Sequence, residues 1–378
     1  MRMLRTAAAA LVLLAVGCSK KGSDVILIGH VASLTGSEAT FGDSTDKGIK
    51  MAVEEQNKAG GVKGKQIQVK TLDDQGKPEE AAQAATNLIV NDKVNMIIGE
   101  VASSRSLAIA PIADANKIPQ ITPTSTNPRV TMDGDKVRPY VFRVCFIDPF
   151  QGTVMAKYAT ETMKVKKVAV LRDVGNDYSV GLANFFEDTF KKLGGEIVTD
   201  QSYKAGDQDF KAQLTKIREM NPEAIYVPGY YTDVGLIARQ ARELGMKQPL
   251  MGGDGWDSAK LYEIAGGALD GSFFSNHYTQ ESPDPVIQDF VKKYKDKYGA
   301  VPDAHAVLGY DAAKVGIDAM MRAKDLTGPA VRDALEQTKG FRAVSGEITL
   351  NDHHDAVKSA VVIAIKNNEG HYSATVNP

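Results

Sequence analysis

The sequence predicts an α/β protein built from two doubly wound parallel-sheet lobes. Short apolar runs rich in Val and Ile alternate with amphipathic helical segments from Val25 onward, and the same alternation restarts at residue 167. This pattern is typical of parallel sheets that carry helices on both faces. The 378 residues are enough for two domains, and 43% hydrophobic with 24% charged residues is an ordinary globular composition.

The first series starts with a continuous apolar strand, VILIGHVA, at 25–32. A helix at 46–61 follows, which places Ile49, Ala52 and Val53 on one face and ends at glycine. The next segments are, in order, the strand KQIQVKTLDD, the helix KPEEAAQAATNLIVND, the strand VNMIIGEV, the helix SSRSLAIAPIADANK and the strand IPQITPTS. Strand–helix repeats of this kind predict the first parallel sheet.

The second series starts with the strand KVAVLRD at 167–173. The helix after it carries Leu182, Phe186 and Phe190 at helical spacing. The next segments are, in order, the strand GEIVTDQSY, the helix DFKAQLTKIREMN, the strand AIYVPGY, the helix TDVGLIARQARELGM and the strand PLMGGDG. The repetition predicts a second sheet with helices on both faces.

The last hundred residues follow a different order. Two long helices at 284–299 and 303–325 come first, and the strands GEITLND and SAVVIAIKNN come only at the end. We expect the helices to return to the first lobe and the strands to join the second. The predicted boundaries are 25–147 plus 277–345 for the first lobe and 148–276 plus 346–378 for the second. The chain would then cross between the lobes three times, which predicts a three-segment hinge.

The N-terminus is similar to a bacterial lipoprotein signal. Two arginines precede an apolar run from Ala7 to Val16, which is too short to span a bilayer. The run ends in AVGC, which resembles a lipobox, so we expect removal of residues 1–17 and lipidation of Cys18, with 18–24 as a polar tether. A plain exported chain with a free Cys18 is the alternative. The expected location is the periplasm or the outer face of the cell membrane.

The sequence lacks the features expected for nucleic-acid binding, nucleotide binding and catalysis. Loss of Arg2 and Arg5 with the signal would change the formal charge from −2 to −4, which predicts no basic surface for nucleic acid. No dinucleotide-binding glycine motif, P-loop or nucleophile elbow is found. Cys145 would be the one unmodified cysteine, so no intramolecular disulfide is expected. We therefore predict no enzyme activity, no cofactor and no metal ion.

Polar residues follow three predicted strands, where ligands of open α/β sheets bind. Ser103 and Ser104 open a helix after a strand, with Ser103 as a candidate N-cap, and helix N-termini attract anions. The stretch ITPTSTNP at 121–128 follows the neighbouring strand, and Asp254 lies between glycines in the other lobe. Anion donors facing a carboxylate would suit a zwitterion. Residues that only cap their own helix or loop are the alternative.

Many segments, in the same order, resemble the leucine/isoleucine/valine-type periplasmic binding proteins of ABC transporters. The segments are NKAGGVKGKQIQV, DDQGKPEEAAQAATNLI, IIGEVASSRSLAIAPIA, ITPTSTNP, GYYTDVGLIARQARELG, MGGDGWDS and AVLGYDAAKVGIDAM. The match extends from about Val25 to the final strands. The resemblance implies a periplasmic-binding-protein-like type I fold, in which two lobes joined by three segments close on an amino acid.

On the first lobe, the resemblance implies contacts with the backbone groups of an amino acid. Ser103 would bind the ligand carboxylate through its hydroxyl and amide. The Thr124 carbonyl and the Thr126 hydroxyl would meet the ammonium group, with the Thr126 amide turned to the carboxylate. Phe41, in ATFGDS, matches an aromatic residue near the ligand side chain; a core phenylalanine is the alternative.

On the second lobe, the resemblance implies that Tyr230 contacts the carboxylate, that Asp254 pairs with the ammonium and that Tyr178 lines the wall. Asp254 stands where some members have glutamate, so the ammonium would sit closer or use a water. Arg105 follows the serine pair where a small polar residue is frequent. Its side chain could face solvent, or it could enter the cleft and favour a ligand with a second acid group.

The lipobox-like N-terminus and the family resemblance together imply a lipid-anchored solute-binding protein, expected to be monomeric, that delivers an amino acid to an ABC permease. Its mechanism would be hinge closure, in which ligand contacts from both lobes stabilise the closed state. A branched-chain amino acid is the first expectation. A ligand-sensing receptor subunit is one alternative, and a non-amino-acid ligand such as an amide or an aromatic acid is another.

Overall fold

The structure, a computed structural model, describes residues 25–378. The expected signal peptide, Cys18 and the tether lie outside the described residues, so the expectations about them stay predictions. Within the described part of the chain, every helix is too short or too polar to cross a bilayer.

The first lobe has helices on both faces of one parallel sheet. Its elements are β1 (Val25–Ala32), α1 (Ala39–Lys58), β2 (Gln66–Asp73), α2 (Pro78–Thr86), β3 (Met96–Ile98), α3 (Ser103–Asn116), β4 (Gln120–Thr122), β5 (Met132–Asp133), β6 (Lys136–Val137) and β7 (Val141–Arg143). Five of the strands pair in parallel in the order β2-β1-β3-β4-β7, and β5 and β6 form a hairpin. Ile28 and Ile98 are fully buried on the central strands, as their apolar runs predict.

Helix α1 begins earlier than the periodicity predicts. It starts at Ala39 instead of residue 46, and Phe41 and Gly42 are buried in its first turns. A Cβ atom on Gly42 would lie 2.0 Å from the carbonyl oxygen of Ser33, so this turn packs directly on backbone. The pattern missed these turns because ATFGDST contains few apolar residues, whereas tertiary packing holds them in place.

The second lobe has the same layers. Its first elements are α4 (Asp148–Lys157), β8 (Lys167–Asp173), α5 (Asp177–Lys192), β9 (Glu196–Tyr203), α6 (Lys211–Glu219), β10 (Ala224–Tyr226), α7 (Tyr231–Glu243), β11 (Leu250–Gly252), α8 (Ala259–Ala265) and β12 (Phe273–Asn276). These strands pair in parallel in the order β12-β11-β10-β8-β9, with Val168, Val170 and Ile225 fully buried. The predicted second parallel sheet is confirmed.

The last hundred residues divide between the lobes. The elements are α9 (Pro285–Tyr298), α10 (Ala304–Arg322), α11 (Gly328–Glu336), β13 (Phe341–Ala343), β14 (Gly346–Ile348), β15 (Ala360–Lys366) and β16 (Glu369–Val376). Helix α10 packs closely on α1, since a Cβ atom on Gly48 would lie 2.0 Å from the carbonyl oxygen of Ala306. β15 and β16 extend the second-lobe sheet in antiparallel orientation beside β12.

Three segments connect the lobes, at about 144–147, 277–284 and 349–359. The short strands β13 and β14 form a two-stranded sheet of their own, and Ile348 and Leu350 pack in the core of the first lobe. The sequence pattern groups this stretch with the second lobe, but a strand pattern does not specify which sheet a short strand joins. Here the tight return from β13 keeps β14 with the first lobe.

Candidate ligand-binding site

The two lobes meet at the carboxyl ends of their parallel strands. Phe41, Val101 and Ala102 of the first lobe pack in one hydrophobic cluster with second-lobe residues that include Tyr178 and Tyr230. The loop after β3 therefore lies against loops and helix starts of the second lobe. The lobes are closed on each other.

Hydrogen bonds between side chains also join the lobes. Ser104 Oγ donates to Asp177 Oδ2 at 2.9 Å and accepts from the Asp177 amide at 3.0 Å. Asn127 Nδ2 donates to the Asp177 carbonyl at 2.8 Å. The hydroxyls of Thr40 and Ser258 lie 2.9 Å apart. Because the partners belong to different lobes, these bonds form only when the lobes are together.

The stretch ITPTSTNP is tied to the loop that follows β3. The hydroxyls of Thr122 and Thr124 donate to backbone carbonyls of that loop, at 2.6 Å and 3.0 Å. The Arg143 guanidinium donates to the Ser125 carbonyl at 2.6 Å. These groups position the backbone of the stretch. Thr126 Oγ1, by contrast, is buried with no hydrogen-bond partner in the described chain.

The N-terminus of helix α3 also lies at the carboxyl ends of the first-lobe strands. The helix begins at Ser103, and Ala102 occupies the N-cap position, so Ser103 is the first helical residue and not the cap. Ser103 is 1% exposed, and its Oγ accepts from the Asn127 amide at 3.2 Å. The first amides of this 14-residue helix have no acceptor within the helix, and the positive end of its dipole lies here.

The carboxylate predicted to bind an ammonium group is buried and held from two sides. Asp254 begins a short 3-10 turn after β11 and is 5% exposed. Its amide donates to Gln151 Oε1 at 2.8 Å, and its Oδ2 lies 2.9 Å from His277 Nε2. Oδ1 has no hydrogen-bond partner within residues 25–378. Burial alone would raise the pKa of Asp254, but the His277 contact holds this pKa below its usual value, so the carboxylate is charged.

Aromatic rings from both lobes line the site. Tyr178 and Tyr230 are stacked with their centroids 5.3 Å apart, and the Tyr178 hydroxyl accepts from the Gly255 amide at 3.2 Å. Phe41 meets Tyr230 edge-on with centroids 5.7 Å apart. Phe41 is thus a core residue of the closed molecule that also contacts the rings of the opposite lobe.

The structure adds two histidines and two other polar residues that the sequence did not indicate. His277 follows β12 and contacts Asp254, while Gln151 accepts from the Asp254 amide. His305 lies at the start of α10, with its ring centroid 3.9 Å from that of Phe41. Burial lowers the pKa of His305 to about 3, so this imidazole is neutral.

Asp148, the fourth of these residues, opens α4 and is fully buried. Burial raises the pKa of its carboxyl group to about 8. The four residues lie in or next to the segments that cross between the lobes or at the start of α10. Their position at element ends is the only signal that could have indicated them.

Arg105 is paired inside the first lobe. Its Nε donates to Glu100 Oε2 at 2.8 Å and its Nη1 to Glu38 Oε2 at 3.0 Å, with Asp74 Oδ2 4.0 Å from Nε. Burial alone would lower the pKa of Arg105, but Glu100 and Glu38 raise it. Exposure to solvent is therefore wrong for this side chain. Its charge is also already paired with protein carboxylates, which disfavours a role toward a second acid group of a ligand.

Several buried polar atoms around the site have no hydrogen-bond partner in the described part of the chain. They are Thr126 Oγ1, Asp148 Oδ2, Asp254 Oδ1, His277 Nδ1 and His305 Nε2. Each unpaired polar atom costs about 1–3 kcal/mol. Atoms of both polarities on facing lobes suit a small polar ligand. Among residues 25–378, no group of three or more His, Cys, Asp or Glu side chains could hold a metal ion.

The chain matches known proteins over nearly its whole length. A model of the periplasmic binding protein family matches residues 25–370, and the chain belongs to this family. It is similar to Leu/Ile/Val-binding protein homolog 3 of Brucella melitensis, with 35% identity over 333 residues that cover 87% of this chain and 88% of the relative. The resemblance found in the sequence is confirmed.

Solved structures of similar proteins support the same family assignment. The leucine binding protein LivK from Thermotoga maritima has 44% sequence identity and a TM-score of 0.89, covering 93% of this chain and 99% of that chain. The branched-chain amino acid transporter substrate binding protein LivJ from Streptococcus pneumoniae, in complex with isoleucine, has 33% identity and a TM-score of 0.88, covering 94% and 100%. The predicted type I fold is confirmed, and its family is one of solute-binding proteins, not of enzymes.

Proposed function

We propose that this chain captures a branched-chain amino acid outside the cytoplasm and delivers it to an ABC transporter. The observation that carries the proposal is the free oxygen of a buried, ionised Asp254 in one lobe, opposite the N-terminus of α3 in the other. A buried anion needs a cation, and a helix N-terminus favours an anion. A zwitterion supplies both charges at once.

The ammonium group of the ligand would donate to Asp254 Oδ1. The same ammonium group would also contact Thr126 Oγ1, which is buried and has no hydrogen-bond partner in the described residues. The ligand carboxylate would accept hydrogen bonds from the Ser103 hydroxyl and the first amides of α3. It would also accept one from the Tyr230 hydroxyl of the second lobe. Closure would then be stabilised by contacts that only both lobes together provide.

The ligand side chain would lie among apolar groups. Phe41, Val101, Tyr178 and Tyr230 belong to one buried cluster at the meeting of the lobes. An aliphatic side chain gains free energy by leaving water for such a surface, at about 25 cal/mol per Å². The leucine and isoleucine named for the relatives have side chains of this kind.

An aromatic acid or an amide is the second candidate ligand class, because the rings of Phe41, Tyr178 and Tyr230 would suit an aromatic group. An aromatic acid lacks the ammonium group and would leave Asp254 buried and unpaired. An uncompensated buried charge of this kind is strongly unfavourable. The geometry therefore favours an amino acid.

The test is a ligand screen on protein that has been unfolded and refolded to remove carried-over ligand. We expect leucine, isoleucine or valine to raise the melting temperature by mass action, and calorimetry to give one site per chain. The same screen includes aromatic acids and amides. Stabilisation by those compounds, with no response to any amino acid, would contradict the proposal.

Membrane attachment through Cys18 and delivery to a permease are further parts of the proposal. The lipobox-like AVGC supports the anchor, and the family supports the partner. We expect Cys18→Ala to abolish incorporation of labelled fatty acid and to release the protein from membranes. Uptake of the identified amino acid by cells that contain the cognate permease separates transport from a receptor role, because a sensing subunit would bind the ligand without supporting uptake.

A further inference from the structure

His277 sits where the ligand site meets the second crossing segment. Its side chain is 0% exposed, and its ring is stacked on Phe146 of the first crossing segment with centroids 3.9 Å apart. Its Nε2 lies 2.9 Å from Asp254 Oδ2. An ionised carboxylate can only accept, so Nε2 carries the hydrogen of this bond. The other ring nitrogen, Nδ1, is buried and has no hydrogen-bond partner in the described chain.

We propose that His277 is a positioning residue for the cationic group of the ligand and that it makes capture dependent on pH. The inference rests on the proposed function, since it assumes that an ammonium group binds Asp254. The stacked ring fixes one carboxylate oxygen and leaves Oδ1 free for the ligand. Tyr178 and Gln151 also form side-chain hydrogen bonds that lower the pKa of Asp254, after the larger contribution of His277.

The charged groups around His277 determine the direction of the effect. Asp254 faces it from the turn after β11, Lys358 from the third crossing segment and His305 from α10. Burial lowers the pKa of His277, Asp254 raises it and Lys358 lowers it further, so the closed site favours a neutral ring. Lys358 is itself buried beside Ser345, which places a second basic group close to the hinge.

Protonation of His277 therefore competes with the ligand. An imidazolium would share the negative charge of Asp254 and place a second positive charge near the ammonium group. Because closure favours the neutral ring, affinity is fully present above the ordinary pKa of histidine, about 6.5, and falls as the pH drops through it. Asp148 acts in the opposite direction, since burial raises the pKa of its carboxyl and its protonated form suits the closed site.

The experiment is calorimetric titration of the refolded protein with L-leucine between about pH 5 and pH 8. We expect the ratio of wild-type affinity to His277→Gln affinity to fall about tenfold from pH 7.5 to pH 5.5, because glutamine keeps a donor at the position of Nε2 but does not titrate. Asp148 and His305 are present in both proteins, so the ratio isolates the His277 imidazole. The half-exposed His371 provides the control, since His371→Gln should match wild type in affinity and in its pH dependence.

Two further measurements distinguish positioning from a merely structural role. His277→Ala should weaken leucine binding more than about tenfold, and His277→Gln should restore most of the loss. Titrations in buffers of different ionisation enthalpy should show proton release on binding near pH 6.5 in wild type and less release in His277→Gln. If the alanine variant fails to fold, the glutamine variant still provides the test.

A wild-type acid slope that persists in His277→Gln would overturn the inference and leave the proposed function standing. Wild-type protein that binds no amino acid at any pH would overturn both.

Discussion

The two lobes hold their buried carboxylates in different ways. In the first lobe, Glu38 and Glu100 accept hydrogen bonds from the Arg105 guanidinium. In the second lobe, Asp254 accepts from His277, whose neutral form is favoured by burial, and keeps one oxygen unpartnered within residues 25–378. Both carboxylate sites are buried, and the permanently charged Arg105 guanidinium pairs with the carboxylates of the first.

This difference explains which lobe should receive the ligand cation. Carboxylates already bonded to a guanidinium gain little from another cation, whereas a buried carboxylate beside a neutral donor keeps its full negative charge. We therefore expect the first-lobe cluster to stabilise the fold and Asp254 to bind the ligand cation. The comparison predicts that substitutions in the two clusters change different measured quantities.

The largest expected effect is that of Arg105→Ala on stability. Removing the guanidinium leaves Glu38 and Glu100 buried without a cation, so we expect the free energy of unfolding to fall by about 3–5 kcal/mol. Urea denaturation measures this change. Arg129→Ala is the control, since Arg129 is 69% exposed and its ion pair with Asp177 should contribute less than about 1 kcal/mol. Equal effects of the two variants would show that the buried cluster does not stabilise the lobe.

The next effect is that of Asp254→Ala on affinity. The ligand ammonium loses its partner, so we expect amino-acid binding to weaken more than tenfold, above ~1.4 kcal/mol. Calorimetry measures the affinity, and a melting curve checks that the variant is folded. We expect its stability without ligand to be unchanged or higher, because a buried charge has been removed. Unchanged affinity would remove Asp254 from the site.

A smaller effect is expected from Asp148→Asn on the pH dependence of stability. Because burial raises the pKa of Asp148 to about 8, its protonation stabilises the folded state at low pH, and this contribution is lost as the pH rises toward 8. Asparagine mimics the protonated acid, so the variant should match wild type near pH 4 and become progressively more stable than wild type as the pH rises toward 8. Thermal melts across this range measure the gain, with exposed Asp188→Asn as the control. A gain that does not grow with pH would contradict the assignment.

The smallest expected effect is that of Ser104→Ala on closure. The variant loses both hydrogen bonds between Ser104 and Asp177, which join the lobes. Only the closed state contains these bonds, so ligand affinity should fall roughly two- to fivefold, or about 1 kcal/mol. Thr86→Ala is the control, because the Thr86 hydroxyl donates to the Ala82 carbonyl within α2. Identical affinities in calorimetry would show that this rim contact does not contribute to closure.

The fold could be predicted because each element carries its own periodic pattern, as β1 and α5 show. The prediction was poorest where packing rather than pattern determines the element. The first turns of α1 are held by the contact of Gly42 with Ser33, and β14 stays with the first lobe through β13 and the burial of Ile348. Neither contact can be predicted from the spacing of the hydrophobic residues.

The sequence by itself determined the alternation of strands and helices and the polar residues at the strand ends, including Ser103, Thr126 and Asp254. Those signals are local, because periodicity and turn chemistry act over a few residues. Only the tertiary structure decided that His277 pairs with Asp254 and that Arg105 pairs with Glu38. Residues so far apart in the chain come into contact through the order of the strands and the closure of the lobes. A local sequence pattern cannot predict such contacts.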